Sequence, residues 1–151
     1  MTAGQARQCF WKPSMSTENC RIITLPRVDD ARGSLSFIEG DRHVPFPIQR
    51  IYYLYEIPGG AERGAHAHKA LHQLIIAISG SFEVVLDDGK TQRTFLLDSP
   101  DKGLYVCPMM WRELGNFSEG AVCMVLASAR YDENDYFRTY DTFLKAATGT
   151  N

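Results

Sequence analysis

The stretch richest in chemistry is Arg63-Gly64-Ala65-His66-Ala67-His68-Lys69, which leads after a short turn into the apolar run Leu74-Ile75-Ile76-Ala77-Ile78. On an extended strand successive side chains alternate between faces, so His66 and His68 share one wall, about 7 Å apart, with Ala67 turned away. Two imidazoles so placed suit two chemistries: proton transfer at neighbouring atoms of one small molecule, or ligation of one metal ion. Gly64, Ala65 and Ala67 crowd nothing nearby, as the lining of a pocket requires. Two surface histidines on a polar edge strand would show the same spacing. The apolar strand that follows argues instead for the interior of a β structure.

The elements that must position this pair are short and β-like. Segments 22–25, 35–38, 49–57, 71–78, 81–86, 91–97, 103–108 and 121–128 are rich in β-branched and aromatic residues. Gly, Pro and Asp turns separate them, and Asp87-Asp88-Gly89-Lys90 carries the clearest hairpin signal. Regular short strands of this kind describe an antiparallel sandwich or barrel, with the barrel preferred. Only the end differs. Tyr136, Phe137, Tyr140, Phe143 and Leu144 recur at spacings near the helical period, which predicts a helix within 133–147 packed over the barrel or a neighbouring subunit.

With 151 residues the chain is one domain with a sizeable core. Residues 1–20 show no periodicity and are expected to be a poorly ordered extension, with Met15 a plausible start; a single domain is expected over 21–151. A net charge of -2 with scattered Lys and Arg offers no basic field for nucleic acid, although one or two phosphates fit. No apolar run is long enough to span a membrane, and the N-terminus lacks the charged-then-apolar order of a signal peptide, so a cytoplasmic protein is expected. Cys9, Cys20, Cys107 and Cys123 are widely spaced, which suggests neither a zinc site nor a disulfide framework.

A small barrel with His-x-His on one strand and the Gly80 turn soon after resembles the cupins, whose jelly-roll barrel holds such histidines inside. Cupins often complete a metal site with a Glu on the next strand and a third His on a later one. Here those positions hold Gln73 and Arg112. A neutral amide is a weak ligand and a guanidinium has no lone pair to give, so metal-free chemistry is expected. His72, adjacent to Gln73, faces the other side of a regular strand. The all-β fold implied is a cupin jelly-roll barrel with a short C-terminal helix.

The resemblance narrows over residues 21–145. Asp30-Ala31-Arg32-Gly33-Ser34-Leu35, Arg50-Ile51-Tyr52-Tyr53, Arg63 to Lys69, Leu97-Asp98-Ser99-Pro100, Gly103-Leu104-Tyr105-Val106 and Tyr131-Asp132-Glu133-Asn134-Asp135-Tyr136, in this order, are together similar to the WxcM-like sugar 3,4-ketoisomerases. These act on thymidine diphosphate (dTDP) 4-keto-6-deoxyglucose. Many members have Trp-His where this chain has Trp111-Arg112.

Moving a ketone from C4 to C3 requires loss of the C3 proton, an enediolate, and return of a proton to C4, so acid and base must stand over adjacent atoms. Histidine suits either role at neutral pH. The resemblance implies that His66 and His68 carry the proton transfers, without saying which is the base. It further implies that Arg32 and Tyr52 stabilise the enediolate oxygen, a task for preorganised donors. Absent the resemblance, Arg32 reads as a turn residue beside Asp29 and Asp30, and strand parity leaves open whether Tyr52 or Tyr53 points inward. Arg50, Arg63 and Arg112 are candidates for the diphosphate, since a guanidinium matches phosphate oxygens bidentately, and Gln73 is a further candidate substrate contact. No cofactor is expected. The implied partners are a dTDP-linked 4-keto-6-deoxyhexose and a second copy of the chain in a homodimer. Competing readings are a nucleotide-sugar 3,5-epimerase, a metal cupin such as a dioxygenase, and a non-catalytic sugar-binding cupin.

Overall fold

The computed structural model describes residues 15–150. The strands, in chain order, are β1 (Arg21–Thr24), β2 (Arg27–Asp30), β3 (Gly33–Ser36), β4 (Arg50–Leu54), β5 (Arg63–His68), β6 (Gln73–Ser79), β7 (Phe82–Asp87), β8 (Gln92–Leu97), β9 (Lys102–Val106), β10 (Trp111–Gly115), β11 (Val122–Ala127) and β12 (Tyr136–Phe137); helix α1 spans Tyr140–Thr148. Two five-stranded antiparallel sheets, ordered β1-β9-β6-β11-β4 and β12-β5-β10-β7-β8, enclose the core, while β2 and β3 form a separate two-stranded ribbon. This is the all-β barrel with a short C-terminal helix that the sequence implies.

Alternation builds the interior. On β7, Phe82, Val84 and Leu86 are buried and the residues between them are half-buried. They meet Ile75, Leu104, Val106 and Val125 of the opposite sheet in one apolar cluster. Each such side chain contributes about 1.5–3 kcal/mol by leaving water. The barrel interior turns polar around β5, β6 and β10, where His68, Gln73 and Arg112 are buried.

The structure refines three local features of the sequence reading. The helix predicted over 133–147 begins only at Tyr140. Ahead of it, Glu133–Asp135 makes a 3-10 turn capped by Asp132, and Tyr136–Phe137 adds an edge strand to β5, in register with His68 and Ala67. Their backbone groups find partners on that edge, and the apparent helical spacing of the aromatics spans both elements. Arg32, which reads as a turn residue beside Asp29 and Asp30, does sit in a turn, Ala31-Arg32, while Asp29 and Asp30 themselves close β2 and pair with β3. Trp111–Gly115, which is not among the segments read as strands from the sequence, is a central strand pairing with both β5 and β7.

Of the expected extension 1–20, residues 1–14 lie outside the described residues. Residues 16–20 carry structure: Ser16 caps a 3-10 turn over Thr17–Asn19, and buried Cys20 lies with its sulfur 3.5 Å from that of Cys107. Asp88 accepts from the Thr17 N–H, tying the turn to the β7–β8 hairpin.

Helix α1 covers the outer face of the histidine strand. Thr139 caps it, Gly149 ends it in the left-handed conformation, and buried Phe143 packs with Ala67 and Trp111. Ala67 thus faces the helix, which leaves His66 and His68 facing the barrel interior.

Candidate functional site

Strand β5 reaches the site through a bulge. Arg112 of β10 stands opposite His66, whereas the next residue, Glu113, stands opposite Gly64, so Ala65 is left unpaired. Gly64 has φ +88 and Ala65 φ +54. A Cβ at Gly64 would lie 3.0 Å from the Arg112 carbonyl oxygen, so glycine is required there by both conformation and space. Beyond the bulge regular alternation resumes. His66 and His68 share a face, their rings perpendicular with centroids 4.9 Å apart, closer than a flat strand would hold them.

The partners of the two rings fix their hydrogens. Nδ1 of His66 is 3.1 Å from the Gly64 carbonyl, and Nδ1 of His68 is 3.0 Å from a carboxylate oxygen of Asp135. Both partners can only accept, so each Nδ1 donates, and each Nε2 keeps a bare lone pair. Both Nε2 atoms are buried without a partner. Burial, reinforced by the nearby Arg112 cation, pushes the His66 pKa down to about 4 and holds that of His68 well below its ordinary value. The resting pair is neutral, with two lone pairs ready to take protons.

Arg112 is 2% exposed and has no carboxylate partner among the described residues. Its Nη1 donates to Gln73 Oε1 and its Nη2 to the Met110 carbonyl at 2.8 Å, while Nε is unpaired. The guanidinium, a pure donor, orients the Gln73 amide, whose Nε2 then donates to the Tyr52 oxygen at 3.0 Å. The Tyr52 hydrogen is left to donate onward, and burial raises the phenol pKa, which keeps that hydrogen in place. The open question of parity is thereby settled: Tyr52 points inward, and Tyr53 is 61% exposed.

The same four positions test the fit of a cupin metal. Gln73 spends its oxygen on Arg112, and the guanidinium puts a positive charge beside the two histidines. Such a donor set does not fit a divalent cation.

A cavity of about 210 Å³ opens against His68, walled in part by Arg50, Arg130, Asp135 and Tyr136. Arg50 lies over the Tyr52 and Tyr131 rings at 5.5 and 5.7 Å, with Nε unpaired. The Tyr136 ring packs on both imidazoles, 5.1 Å from His66 and 4.3 Å from His68, with the Arg138 guanidinium 3.8 Å above it. Of the sequence-predicted residues, the structure brings together His66, His68, Tyr52, Gln73 and Arg112, with Arg50 at the cavity. Arg63 is exposed at the start of β5 and does not line the cavity. Arg32 sits at the tip of the β2–β3 ribbon, its side chain 90% exposed and paired with Asp30. Sequence reasoning gave no role to Asp135 and Tyr136. Their signal was the segment Tyr131 to Tyr136, which lies far from the histidines in the chain.

Residues 18–148 match the family described as FdtA: WxcM-like, C-terminal. The TDP-4-oxo-6-deoxy-alpha-D-glucose-3,4-oxoisomerase of Aneurinibacillus thermoaerophilus is 47% identical over 125 residues, covering 83% of this chain and 90% of that protein. The crystal structure of a 3,4-ketoisomerase from Helicobacter canadensis superposes with a TM-score of 0.84 at 45% identity, over 86% of this chain and 98% of that one. The 3,4-ketoisomerase QdtA of Thermoanaerobacterium thermosaccharolyticum, solved as a mutant with TDP-4-keto-6-deoxyglucose, gives a TM-score of 0.85 at 39% identity, over 87% and 95%. The match over most of the chain, the sequence identity and the shared fold agree, and the chain belongs to the FdtA, WxcM-like family of sugar 3,4-ketoisomerases.

Proposed function

We propose that this isomerase converts dTDP-4-keto-6-deoxyglucose to a dTDP-3-keto-6-deoxyhexose by proton transfer between His66, His68 and the sugar. The observation that carries the reading is the pair of neutral imidazoles, rings 4.9 Å apart, each with a free Nε2. One lone pair takes the C3 proton, and the returning proton reaches C4 from the same wall. The charge that develops on the ketone oxygen meets donors already in place: the Tyr52 hydroxyl, polarised through Gln73, and the field of buried Arg112. Arg50 is assigned to the diphosphate, with Arg63 and Arg112 as the other guanidinium candidates.

Arg32 enters this reading through a second copy. The β2–β3 ribbon is exposed along both strands, with Val28 and Leu35 directly opposite each other and each 58% exposed. On its own a two-stranded ribbon is marginal in water. A homodimer that covers it would place its Arg32 tip on the other protomer. Among the described residues no helix is long and apolar enough to cross a membrane, and we read the free thiols of Cys20, Cys107 and Cys123 as those of a cytoplasmic protein.

The test is proton NMR of the chelator-treated protein with dTDP-4-keto-6-deoxyglucose in deuterated water. The expected result is a 3-keto sugar carrying deuterium at C4. Tight binding without exchange would replace this reading with a binding module, and exchange at C5 would replace it with an epimerase.

A further inference from the structure

His66 and His68 reach the same tautomer by different means, and the difference singles out Asp135. His66 relies on a neutral backbone carbonyl two residues away. His68 relies on a carboxylate brought in from a distant turn, and all of the oxygens of that residue are engaged. Oδ2 faces His68 Nδ1 at 3.0 Å, Oδ1 accepts from the Ala70 N–H at 2.8 Å, and the backbone oxygen accepts from the Lys69 N–H at 2.8 Å. The next residue, Tyr136, pairs with His68 in the sheet. His68 itself is 1% exposed, so no water replaces this partner.

Resting on the reading of the histidines as the proton-transfer pair, we propose that Asp135 is a positioning residue: it locks His68 as the Nδ1–H tautomer and stabilises the imidazolium formed when Nε2 takes a proton. The geometry makes the role unusually easy to invert. In Asp135→Asn the Ala70 N–H still demands an oxygen acceptor, so the amide oxygen stays on that side. The NH2 group then faces His68 Nδ1, which must become an acceptor. The ring hydrogen moves to Nε2, and the lone pair facing the cavity is lost.

The experiment combines histidine nitrogen NMR with steady-state kinetics on the full-length Asp135→Asn and Asp135→Glu proteins. In the wild type, His68 shows Nδ1–H. In Asp135→Asn it switches to Nε2–H while His66 is unchanged, and kcat falls about 10²–10⁴-fold with KM within about threefold of wild type, the bound reserved for uniform binding. Asp135→Glu restores the wild-type tautomer and part of the rate. If His68 keeps Nδ1–H in folded Asp135→Asn, the lock is overturned whatever the rate. If the tautomer inverts and turnover does not change, the role in catalysis is overturned, and a parallel His68→Asn variant with wild-type turnover then traces the failure to the histidine reading rather than to Asp135.

Discussion

Two arginines mark the two ends of this molecule's electrostatics. Arg32, at the tip of the ribbon, holds its own carboxylate, Asp30, in open solvent. Arg112, inside the barrel, has amide and carbonyl partners and no carboxylate. An exposed pair such as the first is screened by water and salt and contributes little. A buried cation with neutral partners keeps its field, at a desolvation cost the fold must carry, and burial lowers its pKa. The field is felt next door, where Arg112 is the second cause, after burial, of the low pKa of both histidines. A charge neutralised locally describes a surface, whereas one left unneutralised in a core describes a site prepared for an anion that comes and goes.

The sharpest way to break this contrast is to remove the groups that Arg112 acts upon. His66→Asn or His68→Asn is expected to lower kcat about 10²–10⁴-fold with the thermal midpoint little changed; wild-type rates in both would remove the histidines from the mechanism. Tyr52→Phe deletes the last donor of the relay and should lower kcat about 10²–10³-fold, the usual effect of one lost oxyanion donor, as read by steady-state kinetics. Arg112→Met removes the field itself, and NMR titration should then show the His66 pKa rising from about 4 toward its ordinary value. An unmoved titration would make burial the whole cause.

Stability against pH offers a smaller effect. Both histidines have folded pKa values below the unfolded value of about 6.5. Above that pH neither state binds the proton and stability is complete. As pH falls toward 4, the unfolded chain takes up protons that the native protein refuses. Stability should therefore fall by up to about 1.4 kcal/mol per pH unit for each histidine, measurable by urea unfolding at pH 7, 6 and 5; a flat profile would contradict the burial of neutral imidazoles. The smallest effect on stability is expected at Arg32→Ala, whose urea unfolding midpoint should match that of the wild type. A large loss of turnover in that variant, restored by mixing it with His66→Asn protein, would place Arg32 in the site of the other protomer.

The sequence made the histidine wall legible because strand alternation needs only the two residues between which it acts. Tyr52 could not be phased from that wall, since Pro58-Gly59-Gly60 interrupts the strand and the Gly64–Ala65 bulge shifts the register again. Trp111–Gly115 escaped notice because the strand is short and carries an arginine, which points into a polar barrel interior, and a glutamate, which lies on the exposed outer face. That Gln73 and Arg112 stand at the positions where cupins often carry metal ligands was legible, but their contact with each other is a property of the folded barrel. Asp135 was hidden for a simpler reason: its partner lies 67 residues earlier, and a carboxylate in a polar turn looks like any cap.

The segment that carries Asp135 follows all the strands of the barrel that it is joined to. Every strand from β1 to β11 lies before residue 128, so both sheets can form before β12 and α1 dock on the β5 edge. Such late, lightly attached units open at lower free energy than the sheets they cover. A protein in which 131–148 has detached would keep its barrel, its buried arginine and most of its resistance to unfolding, while His68 lost its carboxylate and Ala67 its apolar cover. In that state the protein would be folded without being ready to react, a difference that hydrogen exchange at 131–148 would read.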